Sequence, residues 1–307
     1  MGISGSKIKK KHKKLKHIIN IDAVDTGPII EVINPNIKDS NSESKIIKQI
    51  TRSINYEFSF DYFNSFADLE KGLRNTGVKK CELIIGIDFT KSNMKQGGMP
   101  YFHYENLHTL SSQLNPYQQV LSIMCQSLAG FSENGMINVY GFGDSITKNK
   151  SVFSFMNFGN NDSQYDLPCY LLDGVLEKYN QLIPMIKMSG PSSFVPLIKK
   201  TIEIVSIRKE YHILLIIGDG AIDDMGETEQ AINNAVQLFS IIYIGVGKGP
   251  WDDIIKIKNN MSKKKLNNFH FVDFYRIMQG CKNDPVELAK HALSNIPYQY
   301  AYINSKL

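Results

Sequence analysis

The chain has 307 residues, 42% of them apolar, which is enough for one sizeable core and marginal for two. The net charge of +5 is uneven, because residues 1–20 contain seven lysines and no acid, whereas the remainder carries 28 basic and 30 acidic side chains. That near-neutral remainder is not expected to bind nucleic acid through bulk charge, and no apolar run reaches the ~20 residues that span a bilayer.

The amino terminus carries two signals for membrane attachment. Gly2 with Ser6 fits the N-myristoylation pattern once Met1 is removed. A single myristoyl chain binds membranes weakly, and a polybasic patch is a second signal that makes attachment stable. Such a patch follows directly: Lys7, Lys9, Lys10, Lys11, Lys13, Lys14 and Lys16. We expect residues 1–20 to hold a cytoplasmic protein at the inner face of the plasma membrane; a solvated or nuclear-targeting basic tail is the alternative.

Residues 21–56 contain Gly27, Pro28 and Pro35 and only short apolar pieces, which indicates a linker. From residue 57 to 303, helix and strand patterns alternate. Helical spacing of apolar residues predicts helices over 63–74, 117–128, 172–183, 194–205, 229–237 and 285–293. Apolar runs predict strands over 83–87, 137–142, 213–217, 238–246 and 269–272.

This alternation predicts an α/β fold, doubly wound, with a mostly parallel central sheet and helices on both faces. In such sheets ligands bind in the crevice beyond the carboxyl ends of the strands. The polar residues that follow the strands are therefore the candidates for a functional site.

Two of the predicted strands end in acidic residues. Asp88, Thr90 and Ser92 alternate after the first strand, so their oxygens can face one point in an extended loop, and Asp219 approaches from another strand. The loop 189–194 adds further hydroxyls. Carboxylates and hydroxyls are hard oxygen donors of the kind that Mg²⁺ prefers. The spacing alone fits a second interpretation equally well, in which Asp88 and Thr90 only cap the next helix.

The pattern Asp88-x-Thr90-x-Ser92 resembles the metal-ion-dependent adhesion site of von Willebrand A domains. Longer motifs across residues 57–303 resemble the copine family, and in particular the copine-like domain of plant RING-type ubiquitin ligases. These motifs are GIDFTKSN at 86–93, NPY at 115–117, YGFG at 140–143, DGVL at 173–176, GPSSFVP at 190–196, GVGKGPW at 245–251 and IPYQY at 296–300.

The resemblance implies a von Willebrand A-like fold and a metal site made of Asp88, Thr90, Ser92, Ser192 and Asp219. It implies Mg²⁺ or Mn²⁺ as the ion, with Ca²⁺ as an alternative, and an Asp or Glu of a protein partner as the ligand that completes the shell. The family usually has Thr at the position of Ser192, and the hydroxyl is kept.

A second departure lies beside Asp219, where Gly218 stands in place of the more usual Thr or Ala. We expect this change to affect packing more than metal ligation.

The resemblance leaves three functions open. The first is a metal-dependent protein-binding module tethered to the membrane. The second is a component of a ubiquitin ligase that acts with a separate RING protein, since the chain shows neither clustered zinc ligands after the domain nor room for calcium-binding lipid modules before it. The third is a metal-free membrane adaptor. No catalytic set is recognisable, so an enzyme is not the favoured interpretation.

Two further patterns are interpreted as structural. Gly245-x-Gly247-x-Gly249 resembles a dinucleotide-binding loop but continues into proline, which favours a tight turn. His103-x-Glu105-x-x-His108 lacks the order of a known zinc motif, and we expect solvent-facing loop histidines there.

The cysteines are too widely spaced for a zinc knuckle or a disulfide framework. Cys81 and Cys125 lie beside or within apolar segments, so we expect buried free thiols and a reducing compartment.

Overall fold

The computed structural model describes residues 63–96, 106–159, 166–220, 222–264 and 266–305. The strands are β1 (Glu82–Asp88), β2 (Met136–Phe142), β3 (Phe153–Ser154), β4 (Cys169–Tyr170), β5 (His212–Gly218), β6 (Phe239–Gly245) and β7 (Phe269–Asp273). The α-helices are α1 (Phe66–Asn75), α2 (Asn93–Gln96), α3 (Pro116–Leu128), α4 (Leu171–Leu182), α5 (Val195–Arg208), α6 (Met225–Ala235), α7 (Asp252–Ser262), α8 (Phe274–Gly280), α9 (Pro285–Leu293) and α10 (Ile296–Asn304).

The strands form one sheet in the order β3-β2-β1-β5-β6-β7, with β4 paired to β2 off this path. The neighbours among β1, β2, β5, β6 and β7 pair in parallel, and Ile85 lies between Val139 and Leu215 in the register. The short strands β3 and β4 pair with β2 antiparallel. They were not predicted from the sequence, because two residues are too few to show a periodicity.

Successive residues of each central strand point to opposite faces of the sheet, and both faces are covered. Ile85 and Ile87 belong to a buried cluster that includes side chains of α1, α3, α4, α8, α9 and α10. Ile84 and Leu214 belong to a second cluster with α5, α6 and α7. The doubly wound, mostly parallel α/β fold is therefore confirmed.

Helix boundaries follow the capping residues. Asn115 caps α3 through a capping box with Gln118, and Pro116 occupies the first turn, as the Asn-Pro pair predicts. Helix α6 begins at residue 225, earlier than predicted, because the Asp224 side chain accepts a hydrogen bond from the backbone N–H of Glu227. Its first turn is polar, so apolar spacing alone did not detect it.

The sheet order also locates a crevice. Strand β1 lies between β2 on one side and β5 on the other, and all three end at the same edge. This is the topological switch point of a doubly wound sheet, where the strand order reverses and where ligands bind. Asp88 is the last residue of β1, and Asp219 directly follows β5.

The predicted tail at 1–20, with Gly2 and its lysines, and the predicted linker at 21–56 lie outside the described residues. Within the ranges that are described, no helix combines the length and apolar character needed to cross a bilayer. The predicted free thiols are confirmed: Cys81 and Cys125 are buried and unpaired.

Candidate metal site

Four of the five predicted ligands meet at the carboxyl ends of β1 and β5. Asp88 and Asp219 are each only 1% exposed, and Thr90 is buried beside them. The backbone N–H of Thr90 donates to Oδ1 of Asp88 at 2.8 Å, which turns the chain immediately after the strand. The three-residue turn holds the polar side chains of the loop toward the crevice.

Side-chain hydrogen bonds connect the loop after β1 to the loop after β5. The hydroxyls of Thr90 and Ser92 lie 2.9 Å apart, and Oγ of Ser92 donates to Oδ1 of Asp219 at 2.9 Å. The contact joins residues 127 positions apart in the chain. The structure thus brings Asp88, Thr90, Ser92 and Asp219 into one hydrogen-bonded cluster.

Ser192 reaches the site on a third loop. The backbone of Thr90 forms a bridge with Ser189, three residues before Ser192. The backbone N–H of Ser192 donates to the carboxylate of Asp223, and Asp223 N–H donates back to Ser192 O at 3.0 Å. The Ser192 hydroxyl is buried and has no hydrogen-bond partner in the described part of the chain, so no side-chain hydrogen bond joins it to the other four.

The two carboxylates carry an unfavourable charge arrangement. Burial, and next the neighbouring Asp219, raise the pKa of the Asp88 carboxyl, while its hydrogen bonds with Thr90 oppose that rise. Burial also raises the pKa of Asp219, opposed by the hydroxyl of Ser92. Among the described residues neither carboxylate forms an ion pair with a lysine or arginine. Both carboxyls therefore lose their protons less readily than exposed ones, and a nearby cation would favour their ionised forms.

The donor set fits a divalent cation that prefers oxygen. The described residues contain no group of three or more His, Cys, Asp or Glu side chains suited to a metal, so the site has two carboxylates and otherwise hydroxyls. Mg²⁺ is commonly held by one or two carboxylates with other oxygen ligands. The unpartnered hydroxyl of Ser192 and the buried carboxyls of Asp88 and Asp219, which have no cationic neighbour among the described residues, are the features that such an ion would satisfy.

Gln96 is a site residue that sequence reasoning missed. Its Nε2 donates to the backbone O of Asp219 at 3.0 Å, to Oδ2 of Asp219 at 3.1 Å and to the backbone O of Gly249 at 3.2 Å. Its Oε1 accepts from the backbone N–H of Lys248 at 2.5 Å. Gln96 therefore ties Asp219 to the loop after β6, and nothing in the sequence around it signals this role.

The expectation that His108 faces solvent is wrong. The ring is fully buried, stacked between Phe89 at 4.8 Å and Tyr117 at 3.9 Å between centroids. Its Nε2 donates to the backbone O of Asp88 at 2.9 Å, and its Nδ1 accepts from the Tyr179 hydroxyl at 2.8 Å. Burial lowers the pKa of His108 to about 3. The neutral ring is thus a support for the end of β1; the other two residues of that motif lie outside the described residues.

Two glycines beside the site leave room for its backbone and carboxylates. A Cβ at Gly218 would lie 3.1 Å from Oδ2 of Asp88 and 3.1 Å from the Tyr243 hydroxyl, so this departure from the family pattern lies directly against a predicted ligand. Gly220 has a φ of 135°, and a Cβ there would lie 3.0 Å from the backbone O of Pro250. The turn after Asp219 therefore requires glycine.

Together these features define a class of protein: a doubly wound α/β domain with an oxygen-rich loop site at the point where the strand order reverses. A family model described as Copine matches residues 106–306. The chain belongs to the copine family.

The most similar relatives include worm and plant proteins. The chain is 39% identical to Copine family protein 2 of Caenorhabditis elegans over 246 residues, 79% of this chain and 3% of that protein. It is 41% identical to Copine family protein 1 of the same organism, covering 78% of this chain and 21% of that protein. It is 36% identical to E3 ubiquitin-protein ligase RGLG4 of Arabidopsis thaliana, covering 78% of this chain and 62% of that protein. The chain thus spans only part of each of these relatives.

Among solved structures, the chain is similar to manganese-loaded TRAP protein of Plasmodium vivax, with a TM-score of 0.42 and 14% identity over 68% of this chain and 74% of that one. It is similar to a von Willebrand factor type A protein from Catenulispora acidiphila, with a TM-score of 0.41 and 12% identity over 74% and 43% of the two chains. The sheet order and the two helical layers described above carry the assignment of the fold.

Proposed function

We propose that this chain is a protein-binding module that captures an acidic side chain of a partner through a divalent cation. Asp88, Thr90, Ser92, Ser192 and Asp219 are the proposed ligands, directly or through water, with Mg²⁺ or Mn²⁺ as the ion and Ca²⁺ as an alternative. A bound cation supplies positive charge and an open coordination position for a carboxylate. The residues of this chain fix where that position lies, and their hydrogen bonds hold the surrounding loops together.

One observation carries this proposal. The buried carboxylates of Asp88 and Asp219 lie at neighbouring strand ends, where the loop of Thr90 and Ser92 donates a hydrogen bond to each of them, and neither has a cationic partner among the described residues. A cluster of this kind is costly in the absence of an ion, because two like charges are held out of water. A bound cation offsets the repulsion between the two carboxylates, and this favours its binding.

Calorimetric titration with Mn²⁺ and Mg²⁺ tests the site directly. The wild type is expected to bind, and its free energy of unfolding should rise by about 2.7 kcal/mol when the free ion is at a hundred times its dissociation constant. Asp88→Asn and Asp219→Asn should lose both effects. Glu177→Gln, an exposed carboxylate on α4, is the matched control and should bind as the wild type does. Absence of heat with the wild type at millimolar ion would favour the metal-free adaptor instead.

We further propose that residues 1–20 form a myristoylated membrane-binding tail, that 21–56 are a linker and that 57–303 form the copine domain. In this proposal Gly2 carries the acyl chain and the seven lysines bind anionic lipid at the inner face of the plasma membrane. A mass spectrum of the native amino terminus and a membrane-fraction blot of wild type beside Gly2→Ala test it. Equal membrane levels of the two proteins would remove the acyl anchor.

The similarity to plant proteins named E3 ubiquitin-protein ligases favours a second candidate, a ligase component that acts with a separate RING protein. A reconstituted ubiquitination assay distinguishes the two. Under our first proposal the purified chain alone transfers no ubiquitin. Under the second, it accelerates or redirects transfer only when the RING protein is added.

A further inference from the structure

Three lysines lie on the loops around Asp88, and we call Lys91, Lys148 and Lys187 the lysine rim. All three side chains are exposed. Among the described residues, no carboxylate lies within ion-pair distance of any of the three. Most lysines in folded proteins lie on the surface, so exposure alone means little. The position of these three relative to the metal site is the informative feature.

Backbone hydrogen bonds join two of the rim loops to the metal loop. The N–H of Lys91, directly after Thr90, donates to the O of Ser189 at 2.6 Å. Two residues before Ser189, the O of Lys187 accepts from the N–H of Ser145 at 2.9 Å. Lys91 and Lys187 are therefore fixed on adjacent, hydrogen-bonded segments at the edge of the site.

The third rim lysine is connected to the site through a glycine. The N–H of Gly143 donates to the O of Lys148 at 3.2 Å. A Cβ at Gly143 would lie 3.4 Å from Oδ1 of Asp88, so this backbone passes directly beside the carboxylate. The loop after β2 thus carries Lys148 along the same side of the site as the other two rim lysines.

The other side of the site is acidic. Asp223 is exposed and its carboxylate accepts the backbone N–H of Ser192, and Asp224 follows it as the cap of α6. Exposed lysines without an acidic partner therefore lie along the loops after β1 and β2 and along the segment between α4 and α5, whereas Asp223 and Asp224 lie along the loop after β5, with exposed Lys248 on the neighbouring loop after β6. Two large apolar side chains are exposed on the lysine side: Ile146 at 80% and Met185 at 65%.

We propose that the lysine rim selects a partner segment that contains several acidic residues. One of these residues binds the ion, and the others flank it on one side of the segment, where they contact the rim. This inference rests on the proposed function and specifies its ligand: an extended acidic segment of a protein, with an apolar residue over Ile146 and Met185. An extended chain rises about 3.3 Å per residue, so acids two residues apart lie about 7 Å apart, a separation that long lysine side chains can bridge. An anionic membrane would meet Asp223 and Asp224 as well as the rim, and these two carboxylates therefore favour a protein segment.

Peptide selection tests this preference even while the partner is unidentified. The full chain in millimolar Mg²⁺ is presented with a displayed library of nine-residue peptides that have a fixed central Asp and random flanks. Peptides that are released by EDTA are sequenced. We expect Asp and Glu to be enriched on one side of the central Asp. If EDTA releases peptides that show no such enrichment, the proposed role of the lysine rim is contradicted, whereas the proposed function is not.

The affinity of a selected peptide is then compared between wild type and the double variant Lys148→Asn/Lys187→Glu. Asn suits residue 148 because Lys148 has a φ of 49°, a region that Asn tolerates. Each exposed ion pair is worth a factor of about 1.5 to 5, so the loss of one and the reversal of another should weaken binding about tenfold. The difference should shrink in high salt, because exposed charges are screened.

Lys263→Glu is the control for the charge reversal at residue 187. Lys263 is exposed and follows α7 at the opposite end of the sheet, and its reversal should leave peptide affinity unchanged. Calorimetry with Mn²⁺ alone should give the same affinity in the rim variant as in the wild type. Loss of peptide binding together with loss of ion binding would show a damaged site and count against the rim.

Two further outcomes separate the possible explanations. If Mn²⁺ does not bind to the wild type, the proposed function fails and this inference fails with it. If the rim variant keeps peptide affinity but loses binding to phosphatidylserine vesicles, the lysines serve a membrane and the inference is overturned. Equal vesicle binding by wild type and rim variant, with weaker peptide binding by the variant, supports it.

Discussion

Single side chains decide whether the site is built to hold an ion. Ser192 is the clearest case, because its hydroxyl is buried without a hydrogen-bond partner in the described part of the chain. Its neighbour Ser193 is equally buried, but the Ser193 hydroxyl accepts from the backbone N–H of Val195 at 3.3 Å. The two residues therefore form a matched pair that differs in whether the hydroxyl already has a structural use.

Ser192→Ala should raise the free energy of unfolding in EDTA by about 1 kcal/mol, because it removes a buried hydroxyl that makes no hydrogen bond. In Mn²⁺ the same variant should show a smaller ion-induced rise in Tm than the wild type. Ser193→Ala should lose stability in both conditions and keep the ion-induced rise. Denaturation with and without Mn²⁺ measures all three, and a destabilised Ser192→Ala in EDTA would show that its hydroxyl has another partner.

His270 gives a pH dependence away from the metal site. Its Nε2 donates to the backbone O of His291 at 2.9 Å, and the side-chain amide of Asn295 donates to its Nδ1 at 3.0 Å, so the ring is held neutral. Burial lowers the pKa of His270 to about 4, and the charges of Lys258 and His291 act in the same direction.

Because this pKa is lower in the folded than in the unfolded chain, the unfolded state takes up the proton first. The stabilisation is complete above the unfolded pKa of about 6.5 and is lost as the pH falls toward 4. In the wild type, His270 adds up to about one proton to the difference in proton uptake between the unfolded and folded states in this window. His270→Gln removes that proton, so the free energy of unfolding should fall less steeply as the pH is lowered. Urea denaturation from pH 7 to 4 measures it; parallel curves for the two proteins would contradict the assignment.

Glycines set how closely the elements pack. Gly245 ends β6, and a Cβ there would lie 2.7 Å from Cζ3 of Trp251. The indole is itself held by Phe271 at 5.4 Å and Tyr243 at 6.3 Å between ring centroids, so it cannot move away without disturbing the layer. Gly174 in α4 is the opposite case, with nothing within 4 Å of an added Cβ.

Gly245→Ala should lower the free energy of unfolding by about 1–3 kcal/mol, because it overpacks the space between β6 and the Trp251 ring. Gly174→Ala should raise it by about 0.5–1 kcal/mol, because alanine is the better helix former. Both are read from the same denaturation experiment. Equal effects of the two substitutions would show that the indole can be displaced freely.

At the scale of the whole molecule, two buried clusters lie on either side of the sheet among the residues that the structure describes. Seven of the twenty residues of the predicted tail are lysine and none is acidic, a composition that is expected to stay in contact with water. Deleting residues 1–20 should therefore leave Tm unchanged within error while removing binding to phosphatidylserine vesicles. Thermal scans and vesicle sedimentation measure the two effects, and a large fall in Tm would show that the tail contributes to the fold.

The sequence predicted most of the architecture because the central strands are buried on both faces and appear as continuous apolar runs, such as 213–217. Capping pairs such as Asn115-Pro116 fixed a helix start. The short strands β3 and β4 and the early start of α6 escaped prediction, because their residues carry no apolar period.

The sequence by itself determined the doubly wound fold and the polar loop of Asp88, Thr90 and Ser92, since both follow from residue patterns within single helices, strands and loops. Only the tertiary structure decided that Asp219 hydrogen-bonds Ser92 across 127 positions, that His108 is buried and that Gln96 contacts Asp219. The lysine rim likewise exists only where separate loops meet. The reason is physical: contacts between distant segments depend on which strands lie side by side, and no local pattern of residues specifies that order.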